Sequence, residues 1–144
     1  MSKPAFGRLE GKTHIMPLRV YFEDTDAGGV VFYANYLKYT ERARTEMLRA
    51  LGESHADLVA TGQAIAVRHV EADYKRSAML DDDLEVVTTV TEVKGASATM
   101  HQVVRRDGDD LVVVTVKLVC IDLESGRAVR LPETARAVLE NVLN

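Results

Sequence analysis

One long amphipathic helix, followed by an unbroken series of alternating segments, is the pattern that most limits the fold of this chain. Between Tyr36 and Gly52, core-type residues recur at steps of three and four with charged residues between them, which predicts a helix ending at Gly52. The stripe consists of Tyr36, Leu37, Thr40, Ala43, Met47, Leu48 and Leu51. Such a helix has to bury this stripe against a second layer.

The segments after position 63 supply that layer, because their apolar and polar residues alternate with the period of a strand. The predicted strands cover 64–76, 84–90, 97–106 and 112–120. In the first of them the alternation slips by one residue near Arg68 and His69, which predicts a β-bulge. In the last, one face is expected to pack on the helix, and it consists of Val112, Val114, Val116, Leu118 and Cys120.

Short turns join these strands, so neighbouring segments are expected to run antiparallel. Lys94-Gly95 and Asp107-Gly108 are typical of such turns. One more strand precedes the helix and runs from His14 to Phe22, since its even positions are apolar: Met16, Leu18, Val20 and Phe22. The pattern therefore predicts the α+β class, with one long helix packed against one antiparallel sheet.

Two shorter helices and a single domain complete the predicted organisation. Ser54 is a typical N-cap for a helix that continues to Ala60. Pro132 marks the start of a tail helix over about 132–143, with an apolar stripe of Ala135, Val138, Leu139 and Val142. A length of 144 residues with 47% hydrophobic content is typical of one domain, 1–144, with a core over about 13–132.

Charge and hydropathy exclude two classes of partner. Lys and Arg total 18 against 22 Asp and Glu, a net charge of −4, so the chain lacks the positive field of a non-specific nucleic-acid binder. The longest apolar-rich run, Leu111 to Ile121, is far shorter than the roughly 20 residues that a membrane-spanning helix needs. We predict no nucleic-acid partner and no membrane span.

The cysteine and histidine content points to a reducing compartment without a metal site. Cys120 is the single cysteine, and the stretch from Met1 to Met16 has no signal-peptide core, so we predict a cytoplasmic protein. The histidines show no metal-ligand spacing, so we predict no metal; they are His14, His55, His69 and His101.

The run VYFEDTDAGGVVFYANYL, from Val20 to Leu37, is the candidate active site. Asp24 and Asp26 precede two glycines and the start of the long helix, where free N–H groups and the helix dipole favour a carboxylate and a developing oxyanion. The alternative is a helix-capping role, since Asp is a preferred N-cap residue. A binding site for an apolar acyl or aryl group is favoured by the aromatic residues around the acids: Phe22, Phe32, Tyr33 and Tyr36.

This motif, with the ERARTEMLRALG that follows at 41–52, resembles the hotdog-fold acyl-CoA thioesterases. The similarity is greatest to the YbgC type, the Tol-Pal-associated acyl-CoA thioesterases, with the 4-hydroxybenzoyl-CoA thioesterases nearby. It continues through AVRHVEADYKRSAMLDDDLEV at 66–86 to VCIDLESGRAVRLPE, which ends at Glu133. The resemblance implies a long central helix wrapped by a five-stranded antiparallel sheet, and hydrolysis of an acyl-CoA thioester to a free acid and coenzyme A.

The resemblance places the catalytic carboxylate at Asp26. This group would either attack the thioester carbonyl or activate a water that does so, and the sequence favours neither. No metal and no cofactor are implied, because coenzyme A is part of the substrate. Asp24 is expected to fix the loop rather than to react.

Two positions depart from the YbgC pattern. Members of that type commonly have Tyr where this chain has Phe22, and His where it has Tyr33. The pair present here is similar to the 4-hydroxybenzoyl-CoA thioesterases, in which the aspartate works without a histidine. The departures therefore favour a mechanism carried by the carboxylate alone.

Other substrate-binding positions also follow from the resemblance. Backbone N–H groups would stabilise the oxyanion, from the second strand at Ala64 to Ala66 and from the helix start near Tyr33 and Ala34. Asn35 either fixes the helix start, which we favour because Asn is a common capping residue, or orients the Asp26 loop.

Basic side chains near the predicted strand ends are candidates for the phosphates of coenzyme A. Arg76 and Lys94 are the two favoured positions, with Arg68 and Lys75 as further candidates. For each of them the alternative is a solvated surface charge, which is the usual role of Arg and Lys on a strand.

The resemblance also carries expectations about assembly and substrate. It implies a homodimer or homotetramer with sites at the subunit boundary, where the second strand completes a neighbour's site, and an association with the Tol-Pal envelope system. A short-chain or aromatic acyl group fits the aromatic walls. The alternatives are an acyl-carrier-protein thioester as substrate and a non-catalytic acyl-CoA binding module.

Overall fold

The computed structural model describes residues 6–144, which form six strands and three α-helices. The strands are β1 (Arg8–Glu10), β2 (Thr13–Arg19), β3 (Gln63–Tyr74), β4 (Asp83–Val93), β5 (Ser97–Arg106) and β6 (Asp109–Asp122). The helices are α1 (Asn35–Ala50), α2 (His55–Ala60) and α3 (Glu133–Asn141). A short 3-10 turn, Phe22–Asp24, lies between β2 and α1.

All six strands belong to one antiparallel sheet in the order β1-β2-β4-β5-β6-β3. Strand β3 follows the helices in sequence but pairs with β6, so it forms one edge of the sheet. The predicted β-bulge is confirmed, because the register between β3 and β6 shifts between Val67 and His69. The predicted α+β architecture, with one long helix on an antiparallel sheet, is therefore confirmed.

The predicted strand count of five is wrong, because the sheet has six strands. The additional strand is β1, whose Arg8 pairs with Ile15 of β2. Three residues are too few to produce a visible alternation in the sequence.

The predicted first strand also ends too late. The strand stops at Arg19, and Phe22 lies in the 3-10 turn with 82% of its surface exposed. The turn forms because the Tyr21 N–H donates to the Asp24 carboxylate at 2.9 Å and the Asp24 N–H donates to the Tyr21 carbonyl at 3.0 Å. These local hydrogen bonds compete with continued strand pairing.

Helix α1 covers one face of the sheet, and its buried residues meet two apolar clusters. One cluster lies around Tyr36 and Tyr39 near the start of the helix, and the other around Met47 near its end. Between them the Gln102 amide accepts from Arg44 at 3.0 Å and donates to the Thr40 carbonyl at 2.9 Å and the Thr88 hydroxyl at 3.0 Å. The buried Gln102 side chain thus fixes the position of α1 on the sheet.

The free edge formed by β3 extends beyond the cover of α1. Val67 and Val70 lie on the helix side of this strand and remain 52% and 37% exposed. An exposed apolar edge strand is a ready site for pairing with another strand. No helix among residues 6–144 is long and apolar enough to cross a membrane.

Candidate functional site

The Asp26 loop connects the 3-10 turn to α1 and is held by hydrogen bonds between its own backbone groups. The Asp26 N–H donates to the Val30 carbonyl at 2.9 Å, and the Gly29 N–H donates to the Asp26 carbonyl at 3.1 Å. Gly29 has a φ of +80°, a conformation that L side chains rarely adopt. The glycine is therefore required where this turn reverses the chain.

The Asp26 side chain is exposed and held by one hydrogen bond. Its Oδ1 accepts from the Gly28 N–H at 2.8 Å, and no other group among the described residues bonds the carboxylate. A Cβ at position 28 would lie 3.3 Å from the same oxygen, so glycine leaves room for this arrangement. One carboxylate oxygen is thereby oriented, and the other is open to a water molecule or a substrate.

Asp24 holds the loop against the start of α1, as predicted. Its carbonyl accepts from the Phe32 N–H at 3.0 Å and from the Asn35 side-chain amide at 2.8 Å, while its carboxylate accepts from the Tyr21 N–H. Asn35 therefore ties the loop to the first turn of the helix. It is not the helix cap, because that position belongs to Ala34.

The beginning of α1 offers free backbone donors beside the loop. The helix has no side-chain cap, and within residues 6–144 the N–H groups of Tyr33 and Ala34 have no acceptor. Helix N-terminal N–H groups carry partial positive charge and favour an anion. The loop that carries the exposed Asp26 carboxylate thus leads into a helix start with unsatisfied donors.

Aromatic side chains form a wall on one side of this loop. The rings of Tyr33 and Tyr74 are 5.9 Å apart, and Tyr74 also lies 5.9 Å from Tyr36. Tyr33 is 63% exposed and Tyr74 is 42% exposed, so both present apolar surface to a ligand. Sequence reasoning missed Tyr74, and the only available signal was its place on the helix side of β3 after the bulge.

The segment 77–82 forms a second wall that the sequence did not reveal. The Tyr36 hydroxyl accepts from the buried Ala78 N–H at 2.8 Å, and burial raises the pKa of this hydroxyl. The Val31 N–H donates to the Ala78 carbonyl at 2.9 Å, which attaches the segment to the Asp26 loop. Met79 and Leu80, exposed by 53% and 41%, extend the apolar surface around the site.

Phe22 lies in the same 3-10 turn as Asp24, and the Tyr39 hydroxyl lies near the Asp24 carboxylate. Phe22 is almost fully exposed, so its ring makes little contact with the described residues. The Tyr39 hydroxyl is buried without a hydrogen-bond partner there, and burial, followed by the nearby charge of Asp24, raises its pKa. Tyr39 is therefore a neutral phenol at physiological pH.

Ala64 and Ala66 do not lie near Asp26 within one protomer. They sit at the start of β3, whereas Tyr74 marks its end beside the site, and the nine residue-to-residue steps of strand from Ile65 to Tyr74 span about 30 Å. The Ile65 N–H points away from β6 and donates to His55 Nε2 at 3.1 Å. Because alternate residues of an antiparallel strand face the partner strand, the N–H groups of Ala64 and Ala66 face β6.

The two favoured phosphate contacts also lie at opposite ends of the sheet. Arg76 follows β3 on the side of Tyr74 and is 3.6 Å from Asp109. Lys94 lies in the turn between β4 and β5 and is 3.7 Å from Glu92. Both pairs are exposed and weak, which leaves both cations available to a ligand. Only Arg76 is at the end of β3 that borders the Asp26 loop.

Among residues 6–144, no group of three or more His, Cys, Asp or Glu side chains is arranged to hold a metal ion. Cys120 is buried, and burial raises the pKa of its thiol. The candidate site thus combines the exposed carboxylate of Asp26, the free donors at the start of α1 and the aromatic wall.

This fold and site define a class of protein. Residues 20–139 match the thioesterase-like superfamily, so the chain belongs to that superfamily and its architecture is the hotdog fold. The predicted family, fold and enzyme class, a thioester hydrolase, are thereby confirmed.

Two curated relatives are similar over most of the chain. The acyl-CoA thioesterase YbgC of Haemophilus influenzae is 44% identical over 88% of this chain and 93% of its own length. The acyl-CoA thioester hydrolase YbgC of Escherichia coli O157:H7 is 45% identical over 74% of this chain and 80% of its own.

Solved structures show the same architecture. A probable thioesterase from Bartonella henselae has a TM-score of 0.79 at 36% identity and covers 83% of this chain and 99% of its own. A 1,4-dihydroxy-2-naphthoyl-CoA thioesterase from Synechocystis has a TM-score of 0.83 at 23% identity, covering 88% and 95%, which is a likeness of fold alone.

Proposed function

We propose that this thioesterase hydrolyses an acyl-CoA to the carboxylic acid and coenzyme A, with Asp26 as nucleophile or general base. The observation that carries the proposal is the exposed Asp26 carboxylate, oriented by the Gly28 N–H at 2.8 Å in the loop that leads to the unpaired N–H groups of Tyr33 and Ala34. The names of the YbgC relatives support the choice of coenzyme A as the thiol.

The reaction needs a new C–O bond and a departing thiolate. As general base, Asp26 takes a proton from water while the water oxygen bonds the acyl carbon; as nucleophile, its own oxygen forms that bond and water later cleaves the anhydride. The N–H groups at the start of α1 stabilise the oxyanion. The C–S bond then breaks, and the thiolate becomes free coenzyme A by taking the proton held by Asp26 in the first route, or a proton of the water that cleaves the anhydride in the second.

The substrate class follows from the walls of the site. Phe32, Tyr33 and Tyr74 present ring faces on which a short-chain or aromatic acyl group packs. Arg76, at the same end of the sheet, is suited to a phosphate of the nucleotide. Tyr33 and Phe22 offer no imidazole, so the carboxylate performs the proton transfer without a histidine.

We further propose that β3 pairs with the β3 of a second copy. The free edge is exposed and apolar at Val67 and Val70. Two copies of this edge strand that pair antiparallel are related by a two-fold axis, which is the symmetry of a closed dimer. Such pairing brings Ala64 and Ala66 of the partner subunit towards the Asp26 loop. A homotetramer would form if two dimers pack through the half-buried valines of the outer sheet face, Val87, Val103 and Val113.

The predicted location rests on the single cysteine and the amino-terminal sequence, and the predicted pathway rests on the resemblance. A cytoplasmic location and an association with the Tol-Pal envelope system stay predictions. Size-exclusion chromatography with light scattering tests the dimer and tetramer, and pull-down with Tol-Pal components tests the association.

Thiol release from a panel of acetyl-, butyryl-, octanoyl- and benzoyl-CoA tests the activity. We expect turnover of at least one ester, with Asp26→Asn inactive and Glu23→Gln, an exposed acid in the same turn, unchanged. Failure of the wild-type protein to release thiol from any ester would refute the proposed activity. Acyl-carrier-protein thioesters in the same assay test the alternative thiol.

A further inference from the structure

The segment 77–82 runs antiparallel to the end of the Asp26 loop and is joined to it by three contacts. These contacts are a hydrogen bond from the Val31 N–H to the Ala78 carbonyl at 2.9 Å, another from the Leu80 N–H to the Gly29 carbonyl at 3.3 Å, and an antiparallel bridge between Val30 and Met79. The Asp26 N–H in turn donates to the Val30 carbonyl. A shift of the segment 77–82 therefore also displaces the backbone that carries the Asp26 carboxylate.

Asp82 closes the turn within this segment. Its Oδ2 accepts from the Met79 N–H at 2.8 Å, and its own N–H donates to the Met79 carbonyl at 3.0 Å. Asp81, inside the turn, has a φ of +68°, which is uncommon for a residue other than glycine and needs support from its surroundings. The Asp82 carboxylate therefore fixes the conformation of the segment that contacts the Asp26 loop.

Arg106, at the end of β5, attaches this carboxylate to the sheet. Its Nη1 donates to the same Oδ2 of Asp82 at 2.6 Å and reaches the Ser77 carbonyl at 3.5 Å. Both side chains of the ion pair are partly buried, and charge-assisted hydrogen bonds are stronger than neutral ones. Burial alone would raise the pKa of Asp82, but the hydrogen bonds from Met79 and Arg106 hold that pKa below its ordinary value. The carboxylate is therefore ionised and paired at neutral pH.

The position of the Asp26 carboxylate depends on the backbone of its loop, because this exposed side chain accepts only the bond from Gly28 among the described residues. Asn35 attaches the loop to α1. The segment 77–82, held by Arg106, attaches it to the sheet. A displacement of about 1 Å at a reacting group can lower the rate of an enzyme about 10²-fold. Loss of either attachment should therefore slow a reaction that uses this carboxylate.

We propose that Asp82 and Arg106 are positioning residues for hydrolysis at Asp26, an inference that rests on the proposed function. The ion pair fixes the segment 77–82, and the segment holds the loop where the Asp26 carboxylate reacts. Both residues act through the loop and take no part in the bonds that form and break. Their loss should therefore lower kcat more than it raises KM.

Arg106→Met tests this role, because it removes the charge and keeps much of the aliphatic length of the side chain. With an ester that the wild-type protein hydrolyses, we expect kcat to fall at least about tenfold and KM to change less than about threefold. Arg106→Lys keeps a cation, and a single nitrogen of Arg106 contacts Asp82, so the lysine variant should recover most of the wild-type kcat.

The neighbouring residue Arg105 provides a matched control. It also lies on β5 and forms an ion pair of similar exposure with Glu85 of β4, at 3.2 Å. Arg105→Met therefore removes a comparable ion pair that has no contact with the segment 77–82 among the described residues. We expect this variant to keep kcat within about twofold of wild type. Thermal unfolding of both methionine variants shows whether they lose similar stability.

Asp82→Asn breaks the same ion pair from the other side and guards against a folding defect peculiar to Arg106→Met. The asparagine keeps an oxygen that can accept from the Met79 N–H, and the charge is lost. We expect a fall in kcat like that of Arg106→Met. Because the two residues act as one unit, the double variant should be slower than the slower single variant by less than about twofold.

Hydrogen exchange measured by mass spectrometry provides a readout that is independent of activity. In Arg106→Met, peptides that cover 26–34 and 77–82 should exchange faster than in the wild-type protein, while peptides from β6 should be unchanged. A general loss of stability would instead speed exchange in all of these peptides. Arg105→Met should leave exchange in 26–34 and 77–82 at the wild-type rate.

The outcomes separate this proposal from the proposed function. If kcat stays within about twofold of wild type in Arg106→Met and Asp82→Asn, or falls equally in Arg105→Met, the positioning role is refuted and the thioesterase proposal stands. Unchanged exchange in 26–34 would also refute the positioning role. If the wild-type protein hydrolyses no acyl-CoA, both proposals fall.

Discussion

The buried Gln102 amide gives a prediction whose size follows from its contacts. Gln102→Leu removes three hydrogen bonds, from Arg44 and to Thr40 and Thr88, each contributing about 1 kcal/mol. The Arg44 guanidinium, 9% exposed, then loses the acceptor of the hydrogen bond from its Nη1. We expect a loss of about 3 kcal/mol in the free energy of unfolding, or roughly 6–12 °C in Tm.

Urea denaturation at constant protomer concentration measures this loss, because dimer formation would otherwise change the apparent stability. In the double variant Arg44→Met with Gln102→Leu, the unpaired charge is gone, so the combined loss should be smaller than the sum of the single losses by at least about 1 kcal/mol. A loss below about 1 kcal/mol for Gln102→Leu, or strict additivity, would refute the argument that this group positions α1 on the sheet.

Further predictions concern the loop and a buried histidine. Tyr36→Phe leaves the buried Ala78 N–H unpaired and should cost about 1–3 kcal/mol by urea denaturation; an unchanged stability would contradict the contact. Gly28→Ala crowds Oδ1 of Asp26 and should lower kcat about tenfold with native circular dichroism, whereas full activity would show that the orientation is unimportant. Burial lowers the pKa of His14, so as the pH falls the unfolded chain takes up a proton at a higher pH than the folded protein does. The free energy of unfolding should therefore fall as the pH drops below about 6.5. His14→Leu should abolish this pH dependence, and if the pH dependence persists in the variant, another group causes it.

Local periodicity predicted the elements well, because each element is specified by nearby residues. The stripe from Tyr36 to Leu51 predicted α1, and the hydroxyl of Ser54 accepts from the Asp57 N–H at the start of α2 as an N-cap does. The slip near Arg68 predicted the β-bulge in β3. In each case a local pattern corresponds to one backbone geometry.

The predictions failed where local patterns compete or are too short. The alternation continued to Phe22, but hydrogen bonds between Tyr21 and Asp24 close a turn after Arg19. Strand β1 is only Arg8–Glu10 and has no periodic pattern. Neither feature is visible without the hydrogen-bond partners.

The candidate site was predictable only in the part that is contiguous in sequence. Asp24, Asp26 and Asn35 lie within the single run from Val20 to Leu37, and the motif located them. Tyr74 and the segment 77–82 reach the same loop because the chain leaves β3 beside the start of α1, where Tyr74 packs on Tyr36 and Ala78 bonds Val31. The periodicity of the sequence does not predict this arrangement. Sites assembled from distant segments depend on topology as well as on pattern.

Single-turnover thiol release by Asp26→Asn tests whether the Asp26 carboxylate performs the proposed hydrolysis. At saturating enzyme, with an ester that the wild-type protein hydrolyses, we expect a rate about 10²–10⁴-fold below wild type, with native unfolding behaviour and unchanged ester binding. A rate within about tenfold of wild type would show that another group performs the reaction.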